Sequence, residues 1–396
     1  MPEFKIGVGT ADITETEKRY VLDALENKRL SYGPYIRRFE SQFSRLHSRK
    51  HGLMCNSGTS ALRISVLALK EFYNWKDGDE VLVPALTFIA TSNVVLQSSL
   101  KPVFVDVDPL TYGIDPKLIE AKITSRTRAI MPVHLFGLPC DMDPIMEIAK
   151  KHKLAIIEDS CETMFAKYKG KSVGSFGEFG CFSTYMAHLI VTGVGGLILC
   201  DNNELAVIAR SMLNHGRDNI YMSIDDDDNV GKKELTMIMD RRFSFVRLGY
   251  SFRATELEGA IGCAQLERWE QIIKGRQANG KYLIEGLEHL SDRIQLPSAP
   301  AGREHVFMMF PIVVKDPKIK RDELTLYLEE HGIETRHMLP LINQPIYRKL
   351  FGNLDRQFPN AAFINENGFY IGCHHLLKKE ELDYIVKVLN DYFDGK

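Results

Sequence analysis

Short runs of apolar and β-branched residues alternate with segments of helical periodicity through the first half of the chain. Helical patterns cover 13–27, where Thr14 or Thr16 is a plausible cap, as well as 59–72 and 143–153. Continuously apolar strands that alternate with helices are typical of a parallel sheet covered on both faces. The predicted strands are 80–88, 101–108, 128–137, 154–160, 180–185 and 196–201.

The pattern changes near residue 250. We predict a large α/β domain with an N-terminal arm over 1–250, and a connecting helix with a smaller α/β domain over 251–396. The acidic stretch 223–229 is expected to be a solvated loop. The elements predicted after residue 250 are a long helix over 254–287, strands around 306–314, and helices over 321–332 and 379–393.

Composition narrows the class of protein. The 396 residues are 44% hydrophobic and 26% charged, with a net charge of −2, so a nucleic-acid or membrane surface is not indicated. The seven cysteines are scattered and form no CxxC pair, which favours neither a zinc site nor a disulfide framework. No apolar run is long enough to span a bilayer. These observations predict a cytoplasmic protein with reduced thiols and no metal site.

Candidate ligand-binding residues lie where predicted strands end, because ligands of open α/β sheets bind at the carboxyl ends of strands. The turn CNSGTSAL (55–62) feeds a helix whose first N–H groups favour a phosphate. Asp159 ends an apolar strand and would need a cation such as a protonated pyridine nitrogen. Phe88 could stack on a planar ring. Taken singly, each residue also fits a structural role as a cap, a surface acid or a core aromatic.

The segment CFSTYMAHLIVTGVGG (181–196) adds two further candidates. Ser183 and His188 flank a strand end, and the glycines that follow allow close backbone approach. Glu162 lies one turn after Asp159 and could face the same cleft. A lone histidine is more often structural than catalytic, so His188 gains weight only from its neighbours.

Together these blocks resemble the sugar aminotransferases of the DegT family, which are fold-type I pyridoxal-phosphate enzymes. The resemblance covers nearly the whole chain and implies a large, parallel-sheet-rich domain with a smaller C-terminal α/β domain. It also implies a homodimer with shared active sites. The matching blocks are LSYGPYIRRFE, CNSGTSAL, PALTFIATSN, FVDVDPLTY, PVHLFGLPCDMDPI, IIEDSCE, GCFSTYMAHLIVTGVGG, LNHGRD, LGYSFRATELEGAIGCAQLERWE and GIETRHMLPLINQP.

The resemblance implies roles for five residues at the cofactor. Gly58 and Thr59 would bind the cofactor phosphate with help from Ser183. Phe88 would stack on the pyridine ring, and Asp159 would pair with the pyridinium nitrogen. The implied cofactor is pyridoxal 5'-phosphate or pyridoxamine 5'-phosphate.

Five more residues are implied around the ring and the substrate. Glu162 stands where the family often has glutamine, near the ring hydroxyl. Ser251 stands where the family has an asparagine that reaches the phosphate of the neighbouring subunit. Arg253, Arg336 and His337 would lie near the substrate entrance.

One position departs from the family pattern. The family has a lysine that forms a Schiff base with the cofactor, and His188 occupies that place here. No lysine lies between Lys171 and Lys232, so a small shift of the alignment restores none. The cofactor is therefore expected to be held non-covalently. The same substitution is found in similar nucleotide-sugar 3-dehydratases of this family, in which the histidine acts as a base.

This resemblance favours 3-dehydration of a nucleotide-linked 4-keto-6-deoxyhexose, with His188 as the base and glutamate recharging the cofactor. Two alternatives remain open. One is a sugar aminotransferase, either natural or with its lysine replaced; the stretch HMLPLINQP after Thr335 and Arg336 is similar to aminotransferases. Val194 stands where the family's GEGG stretch has an acid, which indicates a distinct substrate pocket. The other is a non-catalytic binding protein that retains the fold.

Overall fold

The computed structural model describes residues 5–218 and 230–395, so the acidic stretch 223–229 lies outside the described residues. The helices are α1 Glu15–Glu26, α2 Pro34–Leu46, α3 Gly58–Phe72, α4 Ile89–Gln97, α5 Pro116–Ile119, α6 Met142–His152, α7 Asn203–Leu213, α8 Lys232–Arg241, α9 Glu256–Leu266, α10 Trp269–Leu287, α11 Arg321–Glu330, α12 Pro345–Phe351, α13 Pro359–Asn367 and α14 Lys379–Asp394. The strands are β1 His51–Cys55, β2 Glu80–Pro84, β3 Lys101–Val105, β4 Thr127–Ile130, β5 Ala155–Asp159, β6 Lys167–Tyr168, β7 Lys171–Ser172, β8 Phe179–Ser183, β9 Gly196–Cys200, β10 Ile294–Gln295, β11 Phe310–Val314, β12 Thr335–His337 and β13 Gly368–Ile371.

A seven-stranded sheet in the order β1-β9-β8-β5-β4-β2-β3 forms the larger half of the molecule. Strands β3, β2, β4, β5 and β8 are parallel neighbours, whereas β9 runs antiparallel to β8 and β1. The parallel α/β prediction is therefore confirmed. The pattern did not predict the reversed direction of β9, because its run of apolar residues is buried like those of its neighbours. It also missed β1, whose short HGLMC run contains histidine and glycine.

Local capping fixes where two helices begin. The Thr14 hydroxyl accepts a hydrogen bond from the Thr16 N–H at 3.2 Å, and the Glu17 carboxylate accepts one from the Thr14 N–H at 2.8 Å. This capping box confirms Thr14 as the cap of α1. At α3, the Ser57 hydroxyl accepts from the Ser60 N–H at 3.1 Å. Helix α3 therefore begins directly after β1, and its N-terminus lies at the edge of the sheet.

The long helix predicted over 254–287 is two helices, α9 and α10. The break lies at Arg268, whose backbone leaves the helical region with φ −130° and ψ 19°. In this conformation the Arg268 guanidinium donates to the Glu17 carboxylate at 2.8 Å and to Asp12. A periodicity argument cannot detect this interruption, because the apolar repeat continues across it.

The smaller sheet has the order β10-β11-β13-β12 with all neighbours antiparallel. Its core is a separate hydrophobic cluster that combines Ile6 with residues of 283–393, among them Phe310, Ile371 and Phe393. The N-terminal arm thus packs into the C-terminal half. The boundary at residue 250 remains a prediction. Across the described ranges, no helix has both the length and the apolar character required to cross a membrane.

Candidate active site

A cavity of about 400 Å³ lies at the carboxyl ends of β5 and β8, beside the N-terminus of α3. The smaller half closes it with Met308, Met309, Leu339 and Tyr370. Seven of the eleven residues predicted from the sequence line this cavity: Gly58, Thr59, Phe88, Asp159, Glu162, Ser183 and His188.

The N-terminus of α3 forms one wall. A Cβ atom on Gly58 would lie 2.7 Å from Cys161 Sγ and 2.7 Å from Ser183 Cβ, so only glycine fits. Gly58 and Thr59 are the first residues of a 15-residue helix, whose free N–H groups and dipole favour an anion. This cradle suits a phosphate group.

Asp159 lies at the end of β5 and is only 4% exposed. One carboxylate oxygen accepts a hydrogen bond from the Thr91 hydroxyl at 2.8 Å, and the other accepts from the Cys161 N–H at 3.2 Å. Burial raises the pKa of Asp159 although both hydrogen bonds act in the opposite direction. A cationic N–H in the cavity would offset the cost of desolvating this carboxylate. A protonated pyridine nitrogen is such a group.

Phe88 is the N-terminal cap residue of α4 and lines the same cavity. Its side chain is 57% exposed, which is unusual for a phenylalanine inside a cleft. An exposed aromatic face beside Asp159 offers a stacking surface for a planar ring. The phosphate cradle, the buried carboxylate and the aromatic face together fit pyridoxal 5'-phosphate.

Glu162 lies in the segment that follows β5, and its carboxylate accepts a hydrogen bond from the Phe136 N–H at 3.1 Å. Burial raises the pKa of Glu162 to about 7, and the nearby charge of Asp159 adds to the shift. Glu162 can therefore exchange a proton near neutral pH.

His188 lies in the loop between β8 and β9. Its Nδ1 is 3.1 Å from the Ser183 carbonyl oxygen, and its backbone N–H donates to the Tyr185 carbonyl at 2.9 Å. A carbonyl only accepts, so Nδ1 carries the hydrogen, and Nε2 is the atom with a lone pair. Burial lowers the pKa of His188 to about 4, although the carbonyls of Cys161 and Ser183 act against this shift. The imidazole is therefore neutral near pH 7 and suited to accept a proton.

The glycines after His188 return the chain to β9. Gly195 has a φ of +151°, and a Cβ atom there would lie 2.3 Å from the Thr184 hydroxyl and 2.8 Å from the Thr192 hydroxyl. Val194 lies between these glycines and lines the cavity. Glycine at position 195 thus allows the chain to turn sharply after His188 and to enter β9.

Four predicted residues do not line the cavity within this single chain. Arg253 donates to the Ser251 hydroxyl at 3.2 Å, and both residues are exposed. Arg336 is exposed and donates to the Glu334 carboxylate, while His337 is exposed on β12. Their predicted roles remain predictions.

Sequence reasoning missed residues that line the cavity or hold its lining residues in place. Thr91 hydrogen-bonds Asp159 and lies one turn after Phe88, so the block PALTFIATSN contained a signal for it. Tyr370 arrives from β13, far along the chain, and no local pattern marks it. Among the described residues that line the cavity, none is a lysine or an arginine.

A family model describing the DegT/DnrJ/EryC1/StrS aminotransferase family matches residues 11–390. The chain belongs to this family. A curated relative, GDP-perosamine synthase of Caulobacter vibrioides, is 33% identical over 389 residues, which are 98% of this chain and 98% of the relative.

Two solved structures are similar over almost the whole chain. One is E. coli GDP-4-keto-6-deoxy-D-mannose-3-dehydratase with bound hydrated pyridoxal phosphate, at 28% identity and TM-score 0.88, covering 97% of this chain and 99% of that chain. The other is a histidine-to-asparagine mutant of GDP-4-keto-6-deoxymannose-3-dehydratase with bound GDP-perosamine, at 28% identity and TM-score 0.87, covering 97% and 100%. The fold-type I architecture and the pyridoxal or pyridoxamine phosphate cofactor are confirmed. The chain is an enzyme of the nucleotide-sugar aminotransferase and dehydratase group.

Proposed function

We propose that this enzyme removes the 3-hydroxyl group of a nucleotide-linked 4-keto-6-deoxyhexose, with His188 as the base. The observation that carries the proposal is the position of the His188 imidazole at the cavity wall, where its Nδ1 bonds to the Ser183 carbonyl and burial lowers its pKa. No lysine lines the cavity in the part of the chain that is described, which supports a cofactor held without a covalent bond.

Each residue contributes a defined action. When bound, the cofactor supplies an electron sink in its pyridine ring. The N–H groups at Gly58 and Thr59, beside Ser183, bind the phosphate, and Phe88 orients the ring. Asp159 holds the proton on the ring nitrogen.

Proton transfer falls to His188 and Glu162. Nε2 of His188 accepts the proton whose removal drives the departure of the 3-hydroxyl group. Glu162, with a pKa near neutrality, holds or releases a proton beside the ring hydroxyl.

The overall reaction balances with glutamate as the reductant. Glutamate and the 3-hydroxy-4-keto sugar give 2-oxoglutarate, ammonia and the 3-deoxy-4-keto sugar, so the sugar loses one oxygen atom. The test is to incubate the enzyme with pyridoxal 5'-phosphate, glutamate and either GDP-4-keto-6-deoxymannose or a CDP-linked 4-keto-6-deoxyhexose. We expect ammonia and a sugar one oxygen lighter by mass spectrometry. An unchanged sugar across the panel would overturn the proposal.

Amination is the second candidate, favoured by the 33% identity to a GDP-perosamine synthase. It would replace the 4-keto oxygen with an amino group from glutamate and keep the 3-hydroxyl group. The product is then heavier than the substrate instead of one oxygen lighter, so the same mass-spectrometric assay separates the two reactions. A non-catalytic protein would give neither product. It would also leave the absorbance of the bound cofactor unchanged when glutamate is added.

The proposal includes a cytoplasmic homodimer with shared active sites. Apolar side chains before Ser251 are exposed in the single chain, with Phe243 at 81% and Leu248 at 95%. Such exposure on a continuous segment fits a surface covered by a second copy. Ser251 and Arg253 lie beside this segment in the sequence. Light scattering after size exclusion should give twice the mass of the chain; a monomer would refute this part.

A further inference from the structure

Arg276 on α10 lies directly behind the wall that carries His188. Its side chain is buried, with only 2% of the residue exposed. One guanidinium nitrogen donates to the Met308 carbonyl at 2.8 Å and to the Phe307 carbonyl at 3.3 Å. The other terminal nitrogen donates to the His188 carbonyl at 3.4 Å.

A buried arginine usually has a carboxylate partner, because an unpaired charge is costly to desolvate. The hydrogen bonds of Arg276 in the described structure go to backbone carbonyls, including Cys373 at 3.5 Å, and its Nε has no partner. Burial lowers the pKa of Arg276 to about 10, so the guanidinium stays charged at neutral pH. Because burying the Arg276 guanidinium costs desolvation free energy, its presence here indicates a role beyond packing.

The carbonyls that Arg276 binds belong to two walls of one cavity. His188 comes from the β8–β9 loop of the larger half, and Met308 comes from the segment before β11 in the smaller half; both line the cavity. A planar guanidinium has a rigid fork of donors, so it fixes both carbonyls in relation to each other. We infer that Arg276 is the positioning residue for His188, setting the distance between the base and the small-half wall of the site.

Charge adds a second effect. The guanidinium disfavours a protonated imidazole, and Arg276 contributes to the lowered pKa of His188 together with burial. The positive charge thus helps to keep Nε2 available as a proton acceptor. The other ionisable groups that line the same cavity are Asp159, Cys161, Glu162, Tyr185 and Tyr370.

The inference rests on the proposed role of His188, and two variants of Arg276 test it in the holoenzyme. Arg276→Met removes charge and donors, and should lower kcat roughly 10²-fold with little change in KM, as a misplaced base does. It should also raise the pKa of His188 by about one unit. Arg276→Lys keeps the charge but loses the fork, so kcat should fall while the pKa of His188 stays low.

NMR titration of ¹³C-labelled histidine reports the pKa of His188 without turnover, and the signal is assigned by its loss in His188→Asn. This readout separates the inference from the proposed function, since it works even if no sugar is dehydrated. Arg293 provides the control: it donates to the Phe393 carbonyl at 2.7 Å and pairs with Asp316, away from the cavity. Arg293→Met should lower Tm without moving the His188 signal.

Parental kcat in both Arg276 variants, or a His188 pKa that Arg276→Met leaves unchanged, would overturn the inference. If Arg276→Met does not fold, Arg276→Lys still decides between a positioning residue and a packing residue. A packing role predicts lower Tm with parental kcat, and a positioning role predicts lower kcat at temperatures well below Tm.

Discussion

The predicted site residues form two groups that differ in how the chain places them. The inner group meets at one cavity: Gly58, Thr59, Phe88, Asp159, Glu162, Ser183 and His188. The outer group consists of Ser251, Arg253, Arg336 and His337, and all four are exposed outside it. Both groups come from motifs of the same family, so the motif alone does not explain the difference.

The position of each group relative to the seven-stranded sheet explains this difference. Members of the inner group end or follow β1, β2, β5 and β8, which run in the same direction in one sheet, so their carboxyl ends share an edge. Members of the outer group lie after the sheet ends, on the surface segment near residue 250 and on β12 of the other sheet. A single chain therefore brings together most of the proposed cofactor residues, whereas Ser251 would reach a cofactor phosphate only in the proposed homodimer.

The largest effect is expected from Asp159→Asn in the inner group. The amide cannot hold the proton on the ring nitrogen as a carboxylate does, so kcat/KM should fall roughly 10²- to 10³-fold. Steady-state rates with the ketosugar measure this. The exposed Asp143, paired with Lys169, provides the matched control Asp143→Asn, which should keep the parental rate. A near-parental rate in Asp159→Asn would contradict the proposal that Asp159 holds the proton on the ring nitrogen.

Gly58→Ala should have the next largest effect. The added Cβ would meet Cys161 Sγ and Ser183 Cβ at 2.7 Å, so overpacking should cost about 1–3 kcal/mol of the free energy of unfolding. The shifted helix start should also weaken cofactor binding. Gly231→Ala is the control, since a Cβ there meets nothing within 4 Å. Calorimetry measures the stability and cofactor titration measures the binding. Equal results for the two variants would contradict the close packing at Gly58 and its role in binding the phosphate.

Glu162→Gln should change the pH dependence of stability. Burial raises the pKa of Glu162 from 4.5 to about 7, so the folded state favours its protonated form. The parent should therefore lose stability as pH rises from about 4.5 through 7. Glu162→Gln should lack that loss and gain stability relative to the parent toward pH 8. Urea unfolding of the cofactor-free protein measures this, and parallel curves would refute the raised pKa.

The smallest effect on stability is expected from Arg253→Ala in the outer group. Arg253 is exposed and bonds only weakly to neighbours, so the free energy of unfolding should change by less than about 0.5 kcal/mol. If a second copy brings Arg253 to the substrate entrance, KM for the nucleotide sugar should still rise roughly tenfold. An unchanged KM would place Arg253 outside the site in the assembly as well.

Much of the larger half could be predicted from the sequence, because buried parallel strands are continuously apolar and their ends carry the polar residues. The bounds of β2, β3, β4, β5, β8 and β9 lie within or near the predicted runs. Strand β1 was not predicted, because it is short and its apolar run contains Gly52. In the smaller half, β10, β12, β13, α12 and α13 were missed, since such short strands and helices carry a weak periodic signal.

The residues of the candidate site also fall into those that could be predicted from the sequence and those that could not. Asp159 and His188 could be predicted, because each lies within a family block that follows a strand. Tyr370 and Arg276 could not, because distant segments bring them to the cavity and its outer wall. Tertiary contacts of this kind have no period or motif in the sequence.

The most direct test of the account replaces His188 itself. The ketosugar assay should be run with the parent, His188→Asn and His188→Lys under identical conditions, with mass spectrometry and cofactor absorbance as readouts. We predict that asparagine abolishes loss of the 3-oxygen while the cofactor still binds. Lysine should introduce an absorbance band that the parent lacks. Full dehydration by His188→Asn would contradict the role of His188 as the base.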